Sequence, residues 1–242
     1  MNKTAVITGA AVGIGRAAAI KFAQNGINLS LFDLDAAALG KLKDELKEYG
    51  VEVLTFGCDV SSEEEVASCM AKTMEKFGRV DILVNNAALW RSSKPFSKIT
   101  AEEWKKYLDV NIMGAVYCTR AVIDKMLENG WGRVINVTSV AGVYGNAYMT
   151  HYSATKGALI AFTKALAKEV TPRGVLVNSV SPGSVSPSEN PDPDSYIESE
   201  LSFMGRTGTD MENAELIYFL AGDGSGYISG QNIQIDGCRK KM

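Results

Sequence analysis

Residues 3–25 leave this chain few folds to choose from. Lys3 to Thr8 is a short run rich in β-branched and apolar residues. It opens into Thr8-Gly9-Ala10-Ala11-Val12-Gly13-Ile14-Gly15, and an Ala-rich pattern of helical period follows to about Asn25. That succession predicts strand, tight turn and helix. Glycines spaced Gly-x3-Gly-x-Gly let a ligand come close to the backbone. The helix that begins there turns its unpaired N–H groups and the positive end of its dipole toward the same spot, which suits a pyrophosphate.

The alternation then repeats. Apolar runs at Ile27 to Phe32, 51–57, 80–85, 133–138, 175–180 and 232–235 predict strands. Helical patterns fill about 36–49, 62–77, 101–129, the stretch around Tyr152 and 212–221. Regular strand–helix alternation predicts an α/β fold, a doubly wound parallel sheet with helices on both faces. Such sheets bind ligands at the carboxyl ends of their strands. Gly9 to Gly15, Asp33, Asp59, Asn85 to Ala88, Ser139 and Pro182-Gly183 all follow predicted strands, so they are expected on one edge.

Asp33 ends the second apolar run, and a carboxylate there can accept hydrogen bonds from adenine-ribose hydroxyls while repelling a 2′-phosphate. Val12 and Leu34 stand where a 2′-phosphate would need a cation. Both observations point to NAD as the cofactor.

The net charge of −3 offers no broad basic surface for nucleic acid. The charge-free segment Val134 to Thr155 is long enough to span a membrane but is interrupted by Asn136, Ser139, Gly142, Gly145 and Asn146, which argues against that role. The chain reaches strand-like residues directly after Met1-Asn2-Lys3, so a cytoplasmic protein is expected. The four cysteines show no metal-ligand spacing, and the single histidine, His151, offers no second ligand, so no metal is expected.

Tyr152 and Lys156 fall four apart on one face of a predicted helix. A neighbouring ammonium stabilises a phenolate and is expected to draw the tyrosine pKa down toward working pH, as acid/base chemistry on an alcohol or ketone requires. The Ser139 hydroxyl can bind the same substrate oxygen. His151 projects at a different angle from Tyr152 and is expected to pack rather than to react.

Over essentially its full length the chain resembles the short-chain dehydrogenase/reductase family. The likeness is carried by Thr8-Gly9-x3-Gly13-Ile14-Gly15, Asp59-Val60, Asn85-Asn86-Ala87, Asn111, Ser139, Tyr152-x3-Lys156, Asn178, Pro182-Gly183 and Asp236-Gly237. It implies a single Rossmann-type domain over 1–242 with a seven-stranded sheet, hydride transfer with a nicotinamide cofactor, and Asn111, Ser139, Tyr152 and Lys156 as the catalytic set. It implies that Gly9, Gly13, Ile14, Gly15, Asp33, Leu34, Asp59, Val60, Asn86, Ala87, Ala88, Tyr152, Lys156, Pro182, Gly183 and Val185 bind the cofactor. It also implies homodimers or homotetramers built on helix 101–129 and the Tyr152 helix. Three positions depart from the family's pattern. Ala88 and Cys238 replace frequent glycines, and Pro187 stands where a cofactor-contacting Thr is common, a contact that Ser186 or Ser188 would have to make. The basic tail Arg239-Lys240-Lys241 is expected to be solvated.

Leu89, Trp90, Ala141, Val143, Met149 and Val185 lie near the reacting residues in sequence pattern. Their apolar character leads us to expect a bulky apolar substrate: a steroid, terpenoid or cyclic alcohol, or the matching ketone. The runner-up is a 3-oxoacyl thioester, because Val140-Ala141-Gly142-Val143-Tyr144-Gly145-Asn146 resembles 3-oxoacyl-carrier-protein reductases. A regulator that keeps the fold without the chemistry is disfavoured by the complete catalytic set. Residues 184–205, rich in Pro, Ser and acids and briefly helical around Tyr196 to Phe203, are expected to form a lid.

Overall fold

The computed structural model describes residues 2–185 and 192–240. In chain order these residues build β1 (Thr4–Thr8), α1 (Gly13–Gln24), β2 (Asn28–Asp33), α2 (Ala36–Glu45), β3 (Val53–Gly57), α3 (Glu63–Phe77), β4 (Ile82–Asn85) and α4 (Ala101–Leu108). They continue with α5 (Gly114–Glu128), β5 (Gly132–Val137), α6 (Ala141–Tyr144), α7 (Thr150–Val170), β6 (Val175–Pro182), α8 (Asp210–Ala221) and β7 (Asn232–Ile235). The strands form one sheet in the order β3-β2-β1-β4-β5-β6-β7, and every pairing is parallel. The doubly wound, Rossmann-type architecture expected from the alternation is therefore present. Its order reverses between β1 and β4, which opens the crevice where ligands of such sheets bind.

Period-two burial explains the two layers. On β1, Ala5 and Ile7 face one side and pack with Ala18 and Phe22 of α1, Leu39 of α2 and Ile217 of α8. Val6 points the other way, into a core with Cys69 and Met70 of α3, Cys118 and Val122 of α5, and Ala167 of α7. Each such buried aliphatic side chain contributes roughly 1.5–3 kcal/mol. The helices are started by their own sequence: the Ser62 hydroxyl accepts from the Glu65 N–H ahead of α3, and Thr209 and Glu212 form a reciprocal capping box on α8.

Several expectations are corrected. The helix expected over 101–129 contains a π turn at Asp109–Met113 between α4 and α5. A π turn holds an extra residue, and the side chain it directs inward is Asn111. The stretch 196–203 is not helical. Its backbone pairs outward instead: Ser199 N–H donates to Gly205 O at 2.9 Å, and Glu198 bridges to Arg206. The tail keeps Lys240 exposed, as expected, while its backbone is tied down, with Phe203 N–H donating to Cys238 O at 3.0 Å and Lys240 N–H to Leu201 O at 2.9 Å. Cys238 sits at φ +57, a left-handed conformation that explains why a glycine is common there. Lys241, Ser186, Pro187 and Ser188 lie outside the described residues. Among the described residues no helix is long and apolar enough to cross a membrane, and no cluster of metal-ligand side chains occurs.

Candidate active site

Because all strands run the same way, the residues that follow them gather at one sheet edge. After β1 the chain turns through Gly9 (φ +61) and Gly13 (φ +58). An L side chain in that region costs roughly 1–2 kcal/mol. Asn86 is laid across the turn, its Nδ2 donating to the carbonyls of Thr8 at 3.0 Å and Gly9 at 2.9 Å. The N–H groups of Asn86 and Ala87 both donate to Thr8 Oγ1 at 3.0 Å. A Cβ on Gly15 would strike the Gly9 carbonyl and stand 2.6 Å from Asn86 Nδ2, so only glycine lets α1 seat on the turn. Val12 gives α1 no side-chain cap, and no acid occupies its first turn, which includes Ile14. The helix end is thus open to an external anion, and the residues fit the diphosphate of a dinucleotide.

The Asp33 carboxylate is held beside this turn. Its Oδ2 accepts from Ala11 N–H at 2.9 Å and its Oδ1 from Asp35 N–H at 3.0 Å. Next to it Leu34 and Val12 are exposed, and Arg16 is engaged by Glu45 at 2.5 Å. After β3, Asp59 Oδ1 accepts from the N–H of Ser61 at 2.9 Å and its hydroxyl at 2.7 Å, while Val60 packs against Gly114. Ala88 continues the loop from β4. Pro182 closes β6, its carbonyl accepting from Val140 N–H at 3.1 Å, and Gly183 N–H donates to Ile235 O at 2.9 Å. A Cβ on Gly183 would stand 2.8 Å from Asp236 Cα, so Pro182-Gly183 and Asp236-Gly237 are parts of one close contact. Val185 bridges to Gly208. Asn178, by contrast, is structural: it donates to Ile228 O at 2.7 Å and accepts from Gln231 N–H at 3.0 Å.

The reacting residues meet where α7 packs across β5 and β6. Tyr152 and Lys156 lie one turn apart on α7, with Lys156 Nζ 5.8 Å from the centre of the Tyr152 ring. Lys156 is buried and donates to Val137 O at 2.7 Å. Burial pushes its pKa down to about 7. Burial also raises the Tyr152 phenol above its ordinary value; a side-chain hydrogen bond with Ser139 opposes this and neighbouring Tyr107 adds to it. The expected lowering by Lys156 is therefore not what the protein alone produces. Desolvation of the phenol is the largest cause, and Lys156, itself desolvated, is not among the groups that shift it. A phenol kept protonated is suited to give a proton to a carbonyl oxygen.

Asn111 is held on three sides. Its Oδ1 accepts from Leu89 N–H at 2.7 Å, and its Nδ2 donates to Leu89 O at 3.0 Å and Thr155 Oγ1 at 3.1 Å. Two residues of this region escaped the sequence reading. Thr155, whose hydroxyl donates to Tyr152 O at 2.8 Å, gives no signal beyond its place between Tyr152 and Lys156. Tyr107 is a buried aromatic on α4 and is indistinguishable in sequence from a core residue.

A hollow of about 550 Å³ lies beside this centre, lined by Leu89, Trp90, Ser92, Glu103 and Tyr107 among others. Ser139, Tyr152 and Lys156 do not line it. Among the described residues the apolar set expected to enclose a bulky substrate does not close into a pocket: Leu89 and Trp90 border the hollow, whereas Val143 is on the surface.

The sequence profile of the family described as "short chain dehydrogenase" matches residues 3–193. The chain is 37% identical over 239 residues to 3-oxoacyl-[acyl-carrier-protein] reductase FabG of Thermotoga maritima, covering 98% of this chain and 97% of that protein. It is 35% identical over 241 residues to the (2S)-[(R)-hydroxy(phenyl)methyl]succinyl-CoA dehydrogenase subunit BbsD of Thauera aromatica, covering 98% and 96%. Among solved structures, NAD+-bound xylitol dehydrogenase superposes with a TM-score of 0.89 at 30% identity, covering 97% of this chain and 98% of that one. The full-length likeness to acyl-thioester enzymes overturns the expectation of a steroid, terpenoid or cyclic alcohol. That expectation rested on apolar side chains whose exposure the sequence does not reveal.

Proposed function

The chain belongs to the short-chain dehydrogenase family, and from that premise we propose that it is an NAD(H)-dependent reductase of 3-oxoacyl thioesters carried on coenzyme A or an acyl carrier protein. The observation that carries this reading is the placement of Tyr152 one turn from the buried Lys156 on α7, its ring centre 5.8 Å from Nζ, in a chain alike over its whole length to thioester enzymes. A nicotinamide dinucleotide, when bound, supplies the hydride. The amides of Gly13, Ile14 and Gly15 would hold the diphosphate, with room left for it by Gly9. Asp33 would accept from the adenine-ribose hydroxyls with Leu34 alongside, and Asp59 and Val60 would hold the adenine. Asn86, Ala87, Ala88, Pro182, Gly183 and Val185 would line the remainder, and Lys156 would hold the nicotinamide ribose.

Ser139 donates a hydrogen bond to the C3 ketone oxygen and Tyr152 gives it a proton, so the charge that develops there is met by two positioned donors. Lys156 returns a proton to Tyr152, with Asn111 holding the relay behind it. On this reading residues 1–242 act as one domain, the described residues 192–205 belong to its lid, and the enzyme works on a small molecule in the cytoplasm as a homodimer or homotetramer.

The choice of NAD is supported by the fixed carboxylate of Asp33 and the apolar Val12 and Leu34 around it. NADH is expected to exceed NADPH by at least tenfold in kcat/KM, about 1.4 kcal/mol. Asp33→Ala should narrow that ratio by removing the repulsion of a 2′-phosphate, and equal use of both cofactors by the wild type would contradict the assignment. The substrate class is tested by kcat/KM with NADH for acetoacetyl-CoA against a neutral cyclic ketone. We expect clear preference for the thioester; preference for the cyclic ketone would overturn the reading.

A further inference from the structure

His151 is the chain's single histidine and stands next to Tyr152 in the first turn of α7. Its imidazole is fully buried, 4.0 Å from the Tyr107 ring centre and edge-on to Trp104. Among the described residues neither ring nitrogen has a hydrogen-bond partner. An unpartnered buried polar group costs about 1–3 kcal/mol, so any small movement that pairs it is favoured. Glu103 Oε1 lies 3.7 Å from Nε2, just beyond hydrogen-bond reach.

Glu103 also ties together the rim of the hollow beside the reacting residues. Its Oε1 accepts from the Ser92 hydroxyl and its Oε2 from Lys94 Nζ at 2.9 Å. Ser92 N–H donates to the Tyr107 hydroxyl at 3.1 Å, and Lys94 N–H donates to Tyr148 O at 2.8 Å. One carboxylate therefore links the loop that carries Leu89 and Trp90 to α4, and through His151 it reaches the turn that carries Tyr152. Burial keeps the imidazole pKa below its ordinary 6.5, while Glu103 opposes that shift and Lys94 adds to it. At neutral pH the ring is uncharged and has one N–H to donate.

We propose that His151 and Glu103 are a positioning pair: closing the 3.7 Å gap into a hydrogen bond draws the loop at 88–95 onto the first turn of α7 as the ketone substrate is seated, and so aligns the substrate mouth with Tyr152. The proposal rests on the reading of Tyr152 as proton donor to a ketone.

Being the single histidine, His151 gives an unambiguous imidazole NMR signal. In the complex with NAD+ and acetoacetyl-CoA, which cannot transfer hydride, we expect a slowly exchanging, downfield Nε2–H resonance that the free protein lacks. An unchanged imidazole spectrum in that complex would overturn the pair. His151→Phe keeps the stacking on Tyr107 and removes both nitrogens. We expect an equal or higher Tm, KM for the ketone raised about tenfold, and kcat within about threefold, the scale of one hydrogen bond. An unchanged KM in His151→Phe or a fall in its Tm would each refute the proposal. Failure of the thioester reading looks different: the wild type would reduce ethyl acetoacetate but not acetoacetyl-CoA, and the same variants would then be compared on the ester.

Discussion

Tyr152→Phe is expected to lower kcat for ketone reduction by at least about two orders of magnitude, the usual scale for a positioned proton donor. Phenylalanine keeps the ring beside Lys156 Nζ and loses only the hydroxyl. The residues assigned to the dinucleotide's diphosphate and adenosine lie on the β1, β2 and β3 loops, on the far side of the crevice. Titration of the variant with NADH should accordingly give a Kd within about threefold of wild type. Near-normal turnover by Tyr152→Phe would remove Tyr152 from the chemistry.

Lys156→Met is expected to abolish most turnover and weaken NADH binding, while making the free protein more stable. The lysine is buried with one carbonyl partner, and its pKa falls from 10.5 to about 7. In that range the unfolded chain holds a proton that the folded chain has given up, so stability rises with pH between about 7 and 10.5. Below about pH 7 the folded protein bears the full cost of a buried charge. Methionine of similar length removes that cost, by a few kcal/mol at most. The Tm gain of Lys156→Met should therefore be largest near pH 6 and shrink toward pH 10. A gain that does not vary with pH, or a loss at pH 6, would contradict the assigned burial. The combination of greater stability and lost activity is what a group held against its own solvation preference should show.

The elements that position the site were legible because their signals are local. The glycine turn and the strand runs each sit within a few residues of what they specify. Asp33 was legible as well, since its distance from the turn decides where it lies. What could not be read depends on packing. A helical period over 101–129 looks the same with or without a π turn, so the inward placement of Asn111 was hidden. The spacing of Tyr152 and Lys156 announced a charge near a phenol but not the burial that raises the one pKa and lowers the other. Leu89, Trp90 and Val143 were read as a pocket from apolar character, whereas Trp90 is 49% and Val143 38% exposed. The meeting of Glu103, Ser92, Lys94 and His151 joins a loop and two helices, and no short window of sequence contains it.

Hydride from NADH is expected to reach C3 of a 3-oxoacyl thioester while Tyr152 supplies the proton. Incubation of the enzyme with 4-deuterated NADH and acetoacetyl-CoA, followed by mass spectrometry of the thioester, tests it directly. The account predicts 3-hydroxybutyryl-CoA bearing a single deuterium on C3, formed by the wild type and at a rate at least about a hundredfold lower by Tyr152→Phe. Recovery of unreduced acetoacetyl-CoA from the wild type, or equal label incorporation by the two proteins, would contradict it.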